Sequence, residues 1–433
     1  MEYEIEQGNF FSGAGINGFG EEVIFSWYLD VARLKQHQAK IIDGLKGILL
    51  SFSMYRADKL TSARSKDVLK SFYQDLVPNE LRKSLGEVYT PEWLVEVTLD
   101  RINVKNFLTQ RFLDPTCGSA SFLLALIRKI KIQATDDGWG DLEVLKHIIN
   151  NVWGFDLNPL AVQTARVNIL IAISDLLDNN KGTDIEIPIL LADAVYSPAR
   201  NPKKDELIVS YKIGSEVADL EILLPSELAF DRSRLDSVFL LMDNLVSKST
   251  QWRETEKKLI QKKKLITSNE MKEWRSPLKH TYEKILDLHE RNWNGIWFRI
   301  VRNFFWSAIA GKFDVVVGNP PWVRWSKLPE LYRERIKPTC DHYGIFSKTK
   351  FHGGNELDIS GMITYTVADK WLKDEDGILA FVITQTHFQS PSSAGFRSFY
   401  IGNNQIIQPV GIDDLKALKP FPDAANKTAI FCC

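Results

Sequence analysis

The 433-residue chain is 44% hydrophobic and 25% charged, an ordinary soluble composition with apolar mass for a large core and more length than one typical domain needs. Its formal charge of −1 leaves no global basic footprint, so a nucleic-acid surface has to be a local patch or lie on another segment. No run of about 18 apolar residues occurs and no basic, apolar leader opens the chain, so neither membrane span nor signal peptide is expected and the cytoplasm is the expected location.

Residues 1–85 read as an N-terminal helical region, with apolar and polar residues at helical spacing over Ile24–Leu50. From about 86 the texture becomes α/β. Strands are expected at Phe112–Asp114, Asn151–Asp156 and Ile187–Asp193, with helices at Ser121–Ile132 and Pro159–Leu177 between them. That alternation implies a parallel, doubly wound sheet. Residues 196–310 read as a helical insertion, with helices over Trp252–Lys264 and Thr281–His289. The α/β pattern resumes at Phe313. Helices near Ile363–Leu372 and Ser392–Tyr400 and strands at Ile378–Thr384, Gln408–Ile412 and Thr428–Cys432 complete a catalytic region of 86–433.

Each of the first three strands ends in a carboxylate. Asp114 leads through Pro115-Thr116-Cys117-Gly118-Ser119-Ala120 into a helix, where open α/β sheets bind ligands beyond their carboxyl strand ends. Asp156 can accept both hydroxyls of a ribose, and Asp193 can accept from an adenine amino group. The G-x-G-x-x-G fingerprint is missing, and Asp156 lies well beyond the roughly 20 residues expected between glycine turn and ribose acid, so NAD is disfavoured. No phosphate-cradling G-x-x-x-x-G-K-[ST] occurs either. A cationic, phosphate-free adenosine cofactor, S-adenosylmethionine, fits better.

The run Phe313-Asp314-Val315-Val316-Val317-Gly318 then closes abruptly in Asn319-Pro320-Pro321-Trp322. Two prolines remove donors and fix φ, so the strand stops in a rigid tip. The Asn319 side-chain oxygen and the Pro320 carbonyl are acceptors beside an aromatic face, Trp322, which suits a planar group bearing an NH2. The same four residues also read as a strand and a Pro-Pro turn.

In this order Gly86-Glu87-Val88-Tyr89-Thr90-Pro91, the Asp114 loop, Asp156-Leu157-Asn158-Pro159, Asp193 and Asn319-Pro320-Pro321-Trp322 resemble the successive motifs of a γ-class N6-adenine DNA methyltransferase. Such enzymes include the modification halves of type I and fused type II restriction systems. The resemblance implies a Rossmann-like S-adenosylmethionine-dependent methyltransferase fold. It implies cofactor binding by Tyr89, Thr90, Asp114, Pro115, Gly118, Asp156 and Asp193. It assigns Asn319, Pro320, Pro321 and Trp322 to the target adenine, with Phe421 as a second aromatic against the flipped base. Two positions depart from the pattern: Ala120 stands where the loop usually has glycine, and Trp322 where tyrosine or phenylalanine is usual.

Several other features have plainer readings. Cys117 is expected to be a small packing residue, because C5-cytosine chemistry needs a Pro-Cys at the strand tip. The four cysteines and seven histidines show no disulfide, redox or metal-ligand spacing. Lys257-Lys258 with Lys262-Lys263-Lys264 is a solvated helix face or a phosphate contact, and Trp293 to Trp306 are aromatics packing the insertion onto the sheet. Gly353-Gly354-Asn355 is a candidate hinge loop near the tip. The expected function is restriction or phage-defence methylation of double-stranded DNA. The same chemistry on cytosine N4, a guanine of ribosomal RNA or a protein glutamine is an alternative, as is a DNA-binding subunit without catalysis. The resemblance also implies a target-recognition domain, expected outside this chain or on a specificity or nuclease subunit.

Overall fold

The computed structural model describes residues 9–17, 19, 31, 34–54, 89–196, 208–214, 219–261, 265–291, 297–346, 357–402, 405–422 and 426–433. The chain divides into two compact units: Met1–Arg82 with Tyr89–Ile189, and Lys83–Val88 with Leu190–Cys433.

In the first unit, helix α1 (Lys35–Ser53) and the short helix Asn9–Gly13 lie in the region read as helical. Helix α2 (Glu92–Ile102) precedes strand β1 (Phe112–Asp114), followed by α3 (Ser121–Asp136), α4 (Asp141–Asn151), strand β2 (Val152–Asp156) and α5 (Pro159–Ala172). β1 and β2 pair in parallel, with Phe112 opposite Val152 and Asp114 opposite Gly154. β1 is wholly buried, as expected of a parallel strand covered on both faces. Gly154 is dictated by packing: a Cβ there would stand 2.7 Å from Ile189 Cδ1 and 2.8 Å from Leu123 Cδ1. Asn158 caps α5, accepting from the Leu160 N–H at 3.0 Å, and Pro159 fits the first helical turn. The helix expected over Pro159–Leu177 is broken at Ile173, where α5 stops and Ser174–Asn179 begins a second helix. Strand β3 (Ile189–Leu191) is shorter than Ile187–Asp193.

In the second unit the insertion is not purely helical. It opens with an antiparallel hairpin, β4 (Ile208–Gly214) and β5 (Asp219–Pro225). Helices α6 (Arg232–Val246), α7 (Trp252–Gln261), α8 (Ser268–Glu290) and α9 (Trp297–Ile309) follow. The alternation Leu220, Ile222, Leu224 carried the strand signal, and Ile222 and Leu224 are fully buried. Together with Leu235, Trp274, Tyr282, Phe298 and Phe305 they belong to one hydrophobic cluster. Phe298 and Phe305 of the aromatic stretch therefore pack inside the insertion's own core rather than onto the sheet. Thr267 and Glu270 form a reciprocal capping box at the start of α8.

After the insertion, strand β6 (Val315–Gly318) pairs in parallel with β7 (Ile378–Thr384). β9 (Thr428–Cys432) then runs antiparallel to β7, and β8 (Gly411–Asp414) antiparallel to β9. The parallel pattern read from the sequence thus gives way to antiparallel pairing near the end of the chain. Helices α10 (Glu330–His342) and α11 (Ile359–Lys370) lie between β6 and β7. The helix expected at Ser392–Tyr400 is replaced by short turns at Pro391–Ser393 and Phe396–Ser398 and a strand at Tyr400–Gly402. Pro391 lacks a donor, the Ser390 side chain bonds the Ser392 N–H instead, and Phe399 is left-handed at φ +53°.

Candidate active site

Asp114 closes β1 at 1% exposure. Its Oδ1 accepts from the Thr116 N–H at 3.1 Å, which turns the chain out of the strand. Burial pushes this carboxyl well above the usual carboxylate range; the Thr116 N–H opposes that and the nearby Asp156 adds to it. The loop continues through buried Pro115 to Cys117, whose N–H donates to the Phe155 carbonyl at 2.8 Å. Gly118 is left-handed at φ +53°.

Asp156, at the end of β2, ties this loop to the turn that follows its own strand. Oδ2 accepts from the Gly118 N–H at 2.9 Å and Oδ1 from the Asn158 N–H at 2.8 Å. The structure therefore brings Asp114, Gly118 and Asp156 together at one end of adjacent parallel strands. A Cβ placed at Gly118 would meet no atom within 4 Å, so open space lies beside the loop backbone for a ligand to approach. The Cys117 thiol is pushed up by burial and then by Asp156 and Asp114, which keeps it a packing group rather than a thiolate. Ala120 is fully buried at φ +76°, a conformation that costs a residue with a Cβ roughly 1–2 kcal/mol. Thr90 is buried and Tyr89 half-buried, just before α2, while Gly86–Val88 lie outside the described residues.

In the second unit β6 is buried along its length, and the ladder ends at Gly318. Asn319 and Pro321 are half-buried and Pro320 buried. Trp322 is 8% exposed and meets Phe421, at 6%, edge to face, with centroids 4.9 Å apart and planes at 89°. Its indole N–H donates to the Val382 carbonyl on β7 at 3.3 Å. The two expected aromatics are thus neighbours, and Trp322 is keyed to the sheet.

A buried polar chain ties down the backbone that follows. Trp325 N–H donates to Leu357 at 2.7 Å and Ile359 N–H to Val323 at 2.9 Å. Between them Asp358 Oδ1 accepts from the Ser360 N–H at 3.0 Å and its hydroxyl at 2.6 Å. Ser360 Oγ lies 2.8 Å from His387 Nε2, and since its proton is given to Asp358 it accepts from Nε2–H. Burial, with Arg397 second, holds the His387 pKa near 3, so the ring is neutral; burial lifts Asp358 to about 6. Sequence reasoning missed this network, although an aspartate before an apolar helical run was a cap signal.

Asp193, two residues after β3, has both oxygens engaged by the chain itself. Oδ1 accepts from the N–H groups of Val195 at 2.8 Å and Tyr196 at 3.0 Å and from the Tyr332 hydroxyl at 3.2 Å. Oδ2 lies 3.3 Å from Arg335 Nη2. Among the described residues no cluster of three or more His, Cys, Asp or Glu could hold a metal, and no helix is long and apolar enough to cross a membrane. Lys262–Lys264, Trp293 and Gly353-Gly354-Asn355 lie outside the described residues. Lys258 is paired with Glu254 at 2.6 Å.

The family model for the Eco57I restriction-modification methylase matches residues 150–417, more than half of the chain and inclusive of Asp156, Asp193 and the Asn319–Trp322 tip. The chain belongs to the Eco57I restriction-modification methylase family. The N-6 DNA Methylase model matches residues 64–211, which adds Tyr89, Thr90 and the Asp114 loop. Among relatives, the adenine-specific methyltransferase PglX of Streptomyces coelicolor is 30% identical over 134 residues, 29% of this chain and 11% of that protein. The type II methyltransferase M.PaeR7I of Pseudomonas aeruginosa is 32% identical over 79 residues, 17% of this chain and 14% of that protein. Both matches thus span a small part of the relatives' length. Among solved structures, a nuclease-deletion mutant of the type ISP restriction-modification enzyme LlaGI with a DNA substrate mimic has 14% identity and a TM-score of 0.45. That likeness covers 85% of this chain and 24% of LlaGI.

Proposed function

We propose that the chain carries out S-adenosylmethionine-dependent methylation of adenine N6 at specific sites in DNA, on a base turned out of the duplex, within a restriction-modification or phage-defence system. The observation that carries this reading is the β6 strand ending in Asn319-Pro320-Pro321-Trp322, with Phe421 against Trp322, in a chain of this methylase family.

The chemistry accounts for the residue types. Bound S-adenosylmethionine supplies a methyl group on a sulfonium, which leaves as a neutral thioether. The adenine N6 lone pair is delocalised into the ring and is a poor nucleophile. Asn319 Oδ1 and the Pro320 carbonyl, accepting from its two N–H bonds, favour the pyramidal amine. With the cofactor bound, N6 would form its bond to the methyl carbon as the carbon–sulfur bond breaks, and one N6 proton would pass to water. No side chain becomes covalently bound, so positioning and fixed dipoles carry the rate. Extrusion of the base costs a few kcal/mol, offset in part by aromatic contact with Trp322 and Phe421.

Asp114, Asp156 and the Gly118 backbone, with Tyr89, Thr90 and Pro115, suit the cofactor, and the open space at Gly118 fits close approach of a ligand. Asp193 suits its adenine amino group.

The test is incubation of unmethylated DNA with methyl-labelled cofactor and the protein, followed by nucleoside analysis. Label in N6-methyladenosine is expected. Label in N4-methylcytosine, or none despite cofactor binding, overturns the assignment.

A further inference from the structure

Resting on the reading of Asp193 as acceptor for the cofactor's adenine amino group, we propose that Arg335, assisted by Tyr332, is a positioning residue that confines Asp193 to 6-amino purines. An ionised carboxylate can only accept, through about two lone pairs on each oxygen. Oδ1 is filled by three donors, Val195 N–H, Tyr196 N–H and the Tyr332 hydroxyl. Among the described residues the donor reaching Oδ2 is Arg335, at 3.3 Å. Oδ2 is therefore the oxygen with acceptor capacity to spare.

The guanidinium is itself held in place. It lies 4.4 Å from the Tyr196 ring centroid and 5.8 Å from that of Tyr332. Tyr196 and Tyr332 thus each serve both partners, giving a donor to the carboxylate and a ring to the cation. Rotating the carboxylate breaks the Oδ1 bonds, and moving the guanidinium abandons two aromatic contacts.

Charge supplies the second half of the argument. The Asp193 side chain is 2% exposed, and a carboxylate is buried at a cost that a paired cation and hydrogen bonds offset. Lys370 also acts on Asp193 electrostatically; burial lowers its pKa to about 8 against the pull of Asp193 and Asp369, which leaves it mostly protonated at neutral pH. Arg335 is the cation that meets the carboxylate directly, 3.3 Å from Oδ2. Without it Oδ2 loses the donor that fixes its direction, so the carboxylate can turn and its selection of a 6-amino donor over a 6-oxo acceptor weakens.

The experiment is calorimetric binding of S-adenosylhomocysteine and of its 6-oxo, inosine counterpart to the full chain and its variants. The wild type is expected to prefer the 6-amino ligand. Asp193→Ala and Arg335→Met are each expected to narrow that preference by about tenfold or more, the scale on which supporting shells act. Arg335→Lys, which keeps charge but loses the planar fork, and Tyr332→Phe test milder changes and are expected to narrow it less. A purely structural loss weakens both ligands in parallel and leaves their ratio alone. Collapse of the ratio in Asp193→Ala and in the Arg335 variants supports the proposal. Collapse in Asp193→Ala alone overturns it, while an unchanged ratio in Asp193→Ala overturns the Asp193 assignment and this proposal with it.

Discussion

The Asp114–Ala120 loop and the Asn319–Trp322 tip are both ends of buried parallel strands, yet they are built from opposite materials. The loop is polar: two carboxylates receive its backbone N–H groups, and Gly118 and Ala120 turn left-handed to allow it. The tip is rigid through covalent geometry and packing, with two prolines, one indole N–H bond and one aromatic edge contact. A loop held by charge responds to charge and pH, whereas a tip held by shape responds to deletion of the atoms it presents.

The largest expected effect lies at the tip. Asn319→Ala removes one of the two acceptors proposed for the reacting amine and should lower kcat by about 10²–10³ while S-adenosylhomocysteine affinity stays near wild type. An equal loss of cofactor binding would erase the contrast between the regions. Next comes Asp156→Ala, which leaves the Gly118 and Asn158 N–H groups without their carboxylate. A loss of about 1–3 kcal/mol in stability, read by denaturant unfolding, is expected, with weaker cofactor binding and little change at the tip.

A pH series sharpens the contrast further. The raised pKa of Asp114 means that binding a cation beside it favours ionisation and releases a proton. Cofactor affinity should therefore rise with pH below that pKa, by at most about tenfold per unit for one proton, and Asp114→Asn should flatten the dependence. Calorimetry in two buffers of different ionisation enthalpy would count the proton. The smallest effect is Ala120→Gly. Relief of left-handed strain outweighs the freer unfolded chain, for a net gain of about 0.5–1 kcal/mol in thermal or denaturant unfolding. No gain would mean that the Ala120 methyl contributes packing equal to its strain.

What could be read in advance followed from locality. The apolar runs before Asp114, Asp156 and Asn319 announced strand and turn locally, and the strands end at Asp114, Asp156 and Gly318. Pairing at distance was not written locally. Nothing near Asp193 in sequence pointed to Tyr332 and Arg335, which come from α10, a helix that follows Pro329 and contains Pro338. The Asp358–Ser360–His387 chain joins a helix cap to a residue past β7 and depends on Gly361, where a Cβ would come within 2.7 Å of the His387 ring. At Ser392–Tyr400 local capping by Ser390 overrode a helical composition. At Leu220–Leu224 a charged neighbourhood masked a two-residue period.

The insertion's closed core has a consequence for how the chain opens. Thr281 on α8 exchanges hydrogen bonds with both backbone groups of Leu223 on β5, at 2.6 and 2.9 Å, above a cluster running from Ile222 to Phe305. Backbone amides of the hairpin and of α8 should therefore exchange with solvent deuterium as one cooperative block, with a shared opening free energy. Such a block can accumulate sequence change at its own rate, governed by its packing, while the residues assigned to cofactor and base answer to chemistry.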